Sequence, residues 1–297
     1  SVAMVNANAR PITMSPIKPV DRFLQHQQGA TLIELMVGIT IGLLVVVVAM
    51  AALMTSRGIS STVSESTSLQ QQAAYAFRVI GQQIRQAGGL ELNLNPSIVL
   101  TPASGADPAM GPVAFDSPDP TGVRPPFNRA SSTITADDTP SFTVGYQNYT
   151  EVLGAAPTPA SMLRDCLGQN KLTAGAPDNP VLTSTFQRDS AKNELVCTGT
   201  GGAGGQQAII GNVTDMKVRY VQQAPGTTSL QYLADASAVS NWSSIYAVEV
   251  CLELSGTEPI PDAGAKYTNC SGTETSYGGH LKMVFRNVYQ LRSQGQI

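Results

Sequence analysis

The sequence predicts an α+β protein: a long N-terminal α-helix, transmembrane in its first half, packed on a C-terminal antiparallel β-sheet. Three observations predict it. Leu35 to Ser56 is a run of 22 residues with no charge and no proline. Apolar residues then recur at steps of three and four as far as Ala87, the period of one helix face. Three late segments alternate apolar with polar side chains, the period of a half-buried strand. Composition sets the outer limits. A chain of 297 residues can bury the core of one large or two small domains. With a net charge of −3 and a pI of about 5.4 it offers no basic face for nucleic acid. His26 and His280 are the only histidines, which excludes His-rich metal sites. A Ser-His-Asp site would rest on His280, and no motif flanks it. No cofactor and no enzymatic activity are expected.

The first half of the helix reads as a membrane span. At 1.5 Å per residue a 22-residue helix reaches about 33 Å, enough to cross a bilayer. Thirteen Leu, Ile or Val residues lie between Leu32 and Met54. At roughly −0.3 to −0.6 kcal/mol each they contribute about −4 to −8 kcal/mol toward insertion. One ionised residue near the middle costs roughly 2.5–3.5 kcal/mol, so insertion wins. Arg10, Lys18 and Arg22 outnumber Asp21 ahead of the run, and Arg57 alone lies close behind it. The positive-inside bias places the N-terminus in the cytoplasm and the bulk of the chain outside. Glu34 is the exception inside this segment. A carboxylate there either snorkels to the headgroups or is paired, and the sharper reading pairs it with a cation from another subunit.

The second half continues from Arg57. Leu69, Ala73, Ala76, Phe77, Ile80, Ile84 and Ala87 share one face, with Gln70, Gln71, Arg78, Gln82, Gln83 and Arg85 mainly on others. Gly88-Gly89 is the expected stop. One helix from about Ala30 to Ala87 follows, loosened in its middle by Gly58 and Ser60-Ser61-Thr62-Val63-Ser64.

Residues 93–140 read as loop, because Pro118, Pro120, Pro125 and Pro126 exclude regular helix. Asp116, Asp119 and Asp137-Asp138 lack calcium-loop spacing and read as solvated. Gly201-Gly202-Ala203-Gly204-Gly205 reads as a flexible turn, without the Lys-Ser/Thr ending of a phosphate loop. Strands are expected at Val213–Val221, Ile245–Leu254 and Leu281–Leu291. Their core faces are Met216, Val218 and Tyr220; Tyr246, Val248, Val250, Leu252 and Leu254; and Leu281, Met283, Phe285, Tyr289 and Leu291. Ile245 and Cys251 fall on the opposite face of their strand. Asn148, Asn212, Asn241 and Asn269 head N-x-S/T triplets, read as chance.

Cys166, Cys197, Cys251 and Cys270 form no C-x-x-C pair, which leaves a zinc site without its ligand spacing. Four scattered cysteines after an apolar segment point to an oxidising compartment and two disulfides. Three pairings are open. The sequential one, Cys166–Cys197 with Cys251–Cys270, closes the shortest loops at the lowest entropic cost. A bridge from Cys251 to Cys270 would pin the loop Ser255–Gly279 across the outer side of the sheet.

Gly29-Ala30-Thr31-Leu32-Ile33-Glu34-Leu35-Met36-Val37 resembles the class III signal of type IV prepilins and pseudopilins. The resemblance implies a type IV pilin-like fold. It also implies cleavage by prepilin peptidase between Gly29 and Ala30, N-methylation of Ala30, and Glu34 as the assembly carboxylate, fifth in the mature chain. The freed amine of one subunit would supply the cation for a neighbour's Glu34. Two positions depart from the family pattern. Ala30 stands where Phe is usual, and Gln28 stands where a basic residue often precedes the Gly. The implied division is a cytoplasmic leader over 1–29, a transmembrane half over 30–56, an amphipathic half over 57–89 and a periplasmic, loop-rich β-sheet head over 90–297. Met14 offers a later start than Met4, leaving MSPIKPVDRFLQHQQG as leader. A rival reading takes Ala49-Met50-Ala51 as a signal peptidase site that releases a secreted domain. The apolar run continues past Ala51, which counts against it.

The C-terminal half is similar to PilW-type minor pilins. The resemblance lies in the stretch from Gly211 to Tyr220, in Asn241-Trp242 before the Ile245 strand, and in Phe285-Arg286-Asn287-Val288-Tyr289-Gln290-Leu291-Arg292. It implies a low-copy structural subunit of the type IV pilus tip or priming complex. Its partners would be other minor pilins, the major pilin, the inner-membrane platform protein and, in many systems, a PilY-type tip adhesin. The expected location is the bacterial inner membrane and then the pilus tip. Alternatives are a minor pseudopilin of a type II secretion system (GspJ-like) and a tip-displayed adhesion module using loops 93–140 and 255–279. A membrane-anchored enzyme is the third class, and no nucleophile or acid–base pair supports it.

Overall fold

The computed structural model describes residues 29, 31–90, 127–136, 140–148, 150–151, 160–170, 181–202, 205–224, 226–227, 229–260 and 264–291. Residues 1–28 of the expected leader, Ala30, Asp137-Asp138 and most of the expected loop 93–140 lie outside the described residues. The chain divides into two compact units, Ser1–Thr55 and Ser56–Ile297.

Helix α1, Leu32–Gln86, is 55 residues long and supplies elements to both units. In the first unit its apolar side chains are uncovered: Leu32, Ile33, Leu35 and every large apolar residue on to Met54 is between 48% and 77% exposed. The two hydroxyls of this stretch are satisfied within the helix, Thr40 Oγ1 donating to Val37 O (2.9 Å) and Thr55 Oγ1 to Ala51 O (3.1 Å). That is the arrangement a helix needs where no water is available.

In the second unit the same helix is amphipathic. Leu69, Ala73, Ala76, Ile80, Gly81, Gln83 and Ile84 are buried. It ends where glycine can take the left-handed conformation: Gly88 has φ 69°, and its N–H leaves the helix to donate to Gly145 O (2.8 Å). A one-turn helix α2, Arg129–Ser132, follows, capped by Asn128.

Among the described residues the strands are β1 (Ile134–Thr135), β2 (Ser141–Gln147), β3 (Thr150–Glu151), β4 (Ala160–Ser161), β5 (Val181–Asp189), β6 (Glu194–Gly199), β7 (Gln206–Ile210), β8 (Val213–Gln223), β9 (Leu230–Leu233), β10 (Ile245–Pro259), β11 (Lys266–Thr268), β12 (Glu274–Ser276) and β13 (His280–Gln290). They form a five-stranded sheet, β1-β2-β5-β6-β7, a four-stranded sheet, β13-β10-β8-β9, and two small pairs, β11-β12 and β3-β4. All pairings are antiparallel. One continuous core joins Leu69, Ile80 and Ile84 of the helix to Phe142 and Phe186 of the first sheet and to Met216, Val250 and Leu252 of the second.

The expected α+β architecture is therefore present, a long N-terminal helix on antiparallel sheet, and the three late strands stand where the alternation placed them. Three expectations need correction. The five-stranded sheet was not anticipated. In β5 the inward positions are Leu182, Ser184 and Phe186, and the polar middle one breaks the apolar alternation. In β10, Ile245 is fully buried and Tyr246 is not, because the ladder shifts register between Ile245 and Ala247. Such a bulge turns the residue before it to the other face. Finally, Gly201 is not part of a free turn. It is buried against the backbone of Gln169, and its N–H donates to Asp165 Oδ2 (2.7 Å).

The Asn-x-Ser/Thr triplets also have local uses. Asn241 Oδ1 accepts the Ser243 N–H (3.0 Å) at the start of a 3-10 turn. Asn269 Oδ1 accepts the N–H groups of Ser271 and Thr273 in the turn between β11 and β12. Asn212 takes a positive φ of 61°. Asn148 is fully buried and accepts from Ser161 Oγ (2.8 Å).

Candidate functional site

The first turn of α1 is built by Thr31. Its Oγ1 accepts the Glu34 N–H (3.3 Å) and its carbonyl accepts the Leu35 N–H (3.1 Å), the geometry of an N-cap. Thr31 and Glu34 are three residues apart with an acid at the third helical position, the spacing of a capping box. That spacing was readable in the sequence and passed over, because Glu34 drew notice for its charge alone. An acid there is also favoured by the positive end of the helix dipole.

Local favour does not satisfy the carboxylate. Glu34 is exposed and forms no ion pair with any described residue. Gly29, two residues ahead of the cap, is exposed as well. A Cβ added there would meet nothing within 4 Å, and its φ does not require glycine. Nothing among the described residues explains why a glycine stands at 29. Ala30, between them, lies outside the described residues.

The other sequence-chosen residues are the four cysteines, and they lie in the second unit. Cys166 is bonded to Cys197 and Cys251 to Cys270, with Cα–Cα distances of 6.5 and 5.8 Å. The second bridge holds the β11–β12 hairpin against the face of β10 that points away from the core. Arg286 reinforces it, donating to Asn269 O (3.1 Å) and Cys270 O (2.9 Å) while pairing with Glu249 (3.2 Å). Burial, and then a hydrogen bond to Glu253, raises the Tyr267 hydroxyl pKa in this layer.

The first bridge sits beside a buried polar hub that sequence reasoning missed. Gln83 points from α1 into the core, only 3% exposed. Its Oε1 lies 2.7 Å from the Tyr146 hydroxyl and accepts from Ser184 Oγ (3.0 Å), and its Nε2 donates to Arg164 O (3.3 Å). Ser184 Oγ in turn accepts the Cys166 N–H (3.0 Å). Burial raises the Tyr146 pKa, so its hydroxyl stays protonated as a donor. Asp165 completes the loop, accepting the N–H groups of Leu167, Gln169 and Gly201. Among the described residues no cluster of three His, Cys, Asp or Glu side chains could hold a metal ion.

Residues 24–50 match the family described as the prokaryotic N-terminal methylation motif. The match spans Gly29, Ala30, Glu34 and most of the apolar run. No curated relative matches the chain. Among solved structures the chain is similar to a type IV-like pilin from Thermus thermophilus, with 9% identity over 77% of this chain and 97% of that one and a TM-score of 0.36. That likeness is too distant to carry a conclusion on its own.

Proposed function

We propose that this chain is a pilin-type filament subunit, stored in the bacterial inner membrane through residues 30–56 and assembled after prepilin peptidase cuts between Gly29 and Ala30. One observation carries the reading. An exposed carboxylate without an ionic partner among the described residues stands in the first turn of an apolar helix that no described residue covers, five positions after a glycine that the described chain does not need. Cutting on the cytoplasmic side leaves the whole apolar helix attached and frees an α-amine. In a filament the helices of neighbouring subunits replace lipid around each other. The amine of one, methylated on Ala30, neutralises Glu34 of the next. A carboxylate left unpaired in such a core would cost several kcal/mol, so the pair sets the axial register. Gly38 and Gly42, four apart on one face, allow helices to approach closely there.

Within that class the reading is a minor pilin of the PilW type, primed with other minor pilins and the major pilin on the platform protein and retained at or near the pilus tip. The two disulfides of the head favour a folded domain in an oxidising compartment, the periplasm in this reading. N-terminal sequencing of the membrane-extracted chain tests the first step. A start at Ala30 is expected, whereas a start at Ala52 would replace this reading with a secreted domain. Deletion then separates the two filament systems: loss of surface pili and twitching with normal exoprotein release is expected. The opposite pattern assigns the chain to a type II secretion pseudopilus.

A further inference from the structure

Residues 56–68 open the second half of α1, and they are poor helix formers. Nine of the thirteen are Ser, Thr or Gly. Ser61 Oγ and Thr62 Oγ1 both donate back to Gly58 O (3.0 Å each), and Thr67 Oγ1 donates to Val63 O (2.9 Å), bonds that compete with the helix ladder. The core holds this stretch weakly. Leu69 is the first buried residue of the helix, and before it only Thr62, Glu65 and Ser66 are half-buried. Glu65 fastens it to the sheet. Between Ser255 and Pro259 the β10–β13 ladder slips, so that residues 256–258 of β10 stand opposite the single Leu281 of β13. The Thr257 and Glu258 N–H groups donate instead to Glu65 Oε1, the second at 2.8 Å. Successive N–H groups turned to one acceptor make an anion nest, here filled by the chain's own carboxylate. Gly256 makes room for it. Its φ does not require glycine, yet a Cβ there would run into the Glu65 carboxyl group. The nest holds one oxygen only. Glu65 Oε2 is enclosed without a hydrogen-bond partner, and no described cation pairs with the carboxylate.

We propose that Glu65 and the bulge at residues 256–258 form a latch. Closed, it docks residues 56–68 on the four-stranded sheet. Open, it lets those turns come off the sheet and unwind while the core from Leu69 onward stays shut. Three observations give it this character rather than that of a fixed strut. The enclosed, unpaired carboxylate oxygen penalises the closed state, and opening into water removes the penalty. The segment it holds has weak helix propensity and no buried apolar side chain, so little else resists release. The atoms that exclude a side chain at position 256 are those of Glu65, which ties the glycine to the latch and not to the strand. The inference holds whether or not the chain enters a filament.

The test is amide exchange of the full chain in detergent, read by mass spectrometry at single-residue resolution. In the unsubstituted chain Thr257 and Glu258 should exchange through a local opening that does not respond to mild denaturant. Val250 and Leu252, in the middle of β10, should exchange only with global unfolding. Glu65→Gln keeps the shape and removes the charge. It should speed exchange at Thr257, Glu258 and residues 66–68 about tenfold and leave Val250 and Leu252 unchanged. Gly256→Ala should match it. In a Glu65→Ala background, adding Gly256→Ala should change these rates by less than about twofold, because the clash is already gone. Equal effects of Gly256→Ala in both backgrounds would overturn the latch. So would rates at Thr257 and Glu258 that ignore Glu65→Gln, an acceleration there that does not reach residues 66–68, or protection lost only in the global transition.

Discussion

Leu32–Thr55 and Ser56–Gln86 belong to one continuous helix and satisfy their apolar side chains in different ways. In the first stretch apolar residues occupy the whole circumference, and none is buried by the described chain. In the second they are confined to one stripe, and that stripe is the most completely buried part of the helix. A helix apolar all round must find its cover outside its own domain, whereas a striped helix finds it in its own sheets. Charge follows the same division. Glu34 in the first stretch has no ionic partner among the described residues, while Glu65 in the second is tied to the backbone of β10. The comparison gives the second half to folding of the head and leaves the first to be covered from outside the described chain.

That division can be broken most forcefully by truncating one residue from each half. Ile80→Ala should destabilise the head by roughly 2–5 kcal/mol. Val46→Ala should leave it within about 0.5 kcal/mol. Denaturant unfolding of the full chain in detergent, followed by the near-ultraviolet signal of the head, measures both. Similar losses for the two would mean the halves are not independent. Removing the outer bridge by Cys251→Ser with Cys270→Ser should cost about 2–4 kcal/mol in the same assay, through freedom returned to the unfolded chain. Gln83→Ala comes next at about 1–3 kcal/mol, because it leaves Tyr146 and Ser184 without their shared acceptor.

The smallest effect sharpens the account of the covered half. Burial pushes the Tyr289 hydroxyl pKa up to about 12, while it donates to Phe77 O (2.7 Å). The unfolded chain ionises first, near 10. The stabilisation is therefore complete below pH 10 and is lost as pH rises through 12. Tyr289→Phe should flatten that decline, and an unchanged pH slope would contradict the assignment.

Legibility in the sequence followed the same boundary. The apolar run, the helical stripe and the three late strands could be read because each repeats one chemical type at one period. The Ile245 bulge could not, because a register shift leaves no mark on composition. The five-stranded sheet was hidden by its own interior. Ser184 in β5 and Gly145 in β2 occupy buried positions where the pattern demands large apolar residues. Ser184 is there to meet Gln83, which reads as a surface glutamine until its partners 63 and 101 positions away are known. The Thr31–Glu34 cap was the most readable of the missed features.

The central claim is that Glu34 is tolerated because a neighbouring subunit neutralises it. Glu34→Gln keeps size and shape and removes only the charge. Quantifying trimmed chain in sheared filaments against trimmed chain in the membrane tests the claim directly. The account predicts normal trimming to Ala30 and at least about a tenfold drop in the filament fraction, corresponding to a lost charge pair of more than about 1.4 kcal/mol. A filament fraction equal to that of the unsubstituted chain would contradict it.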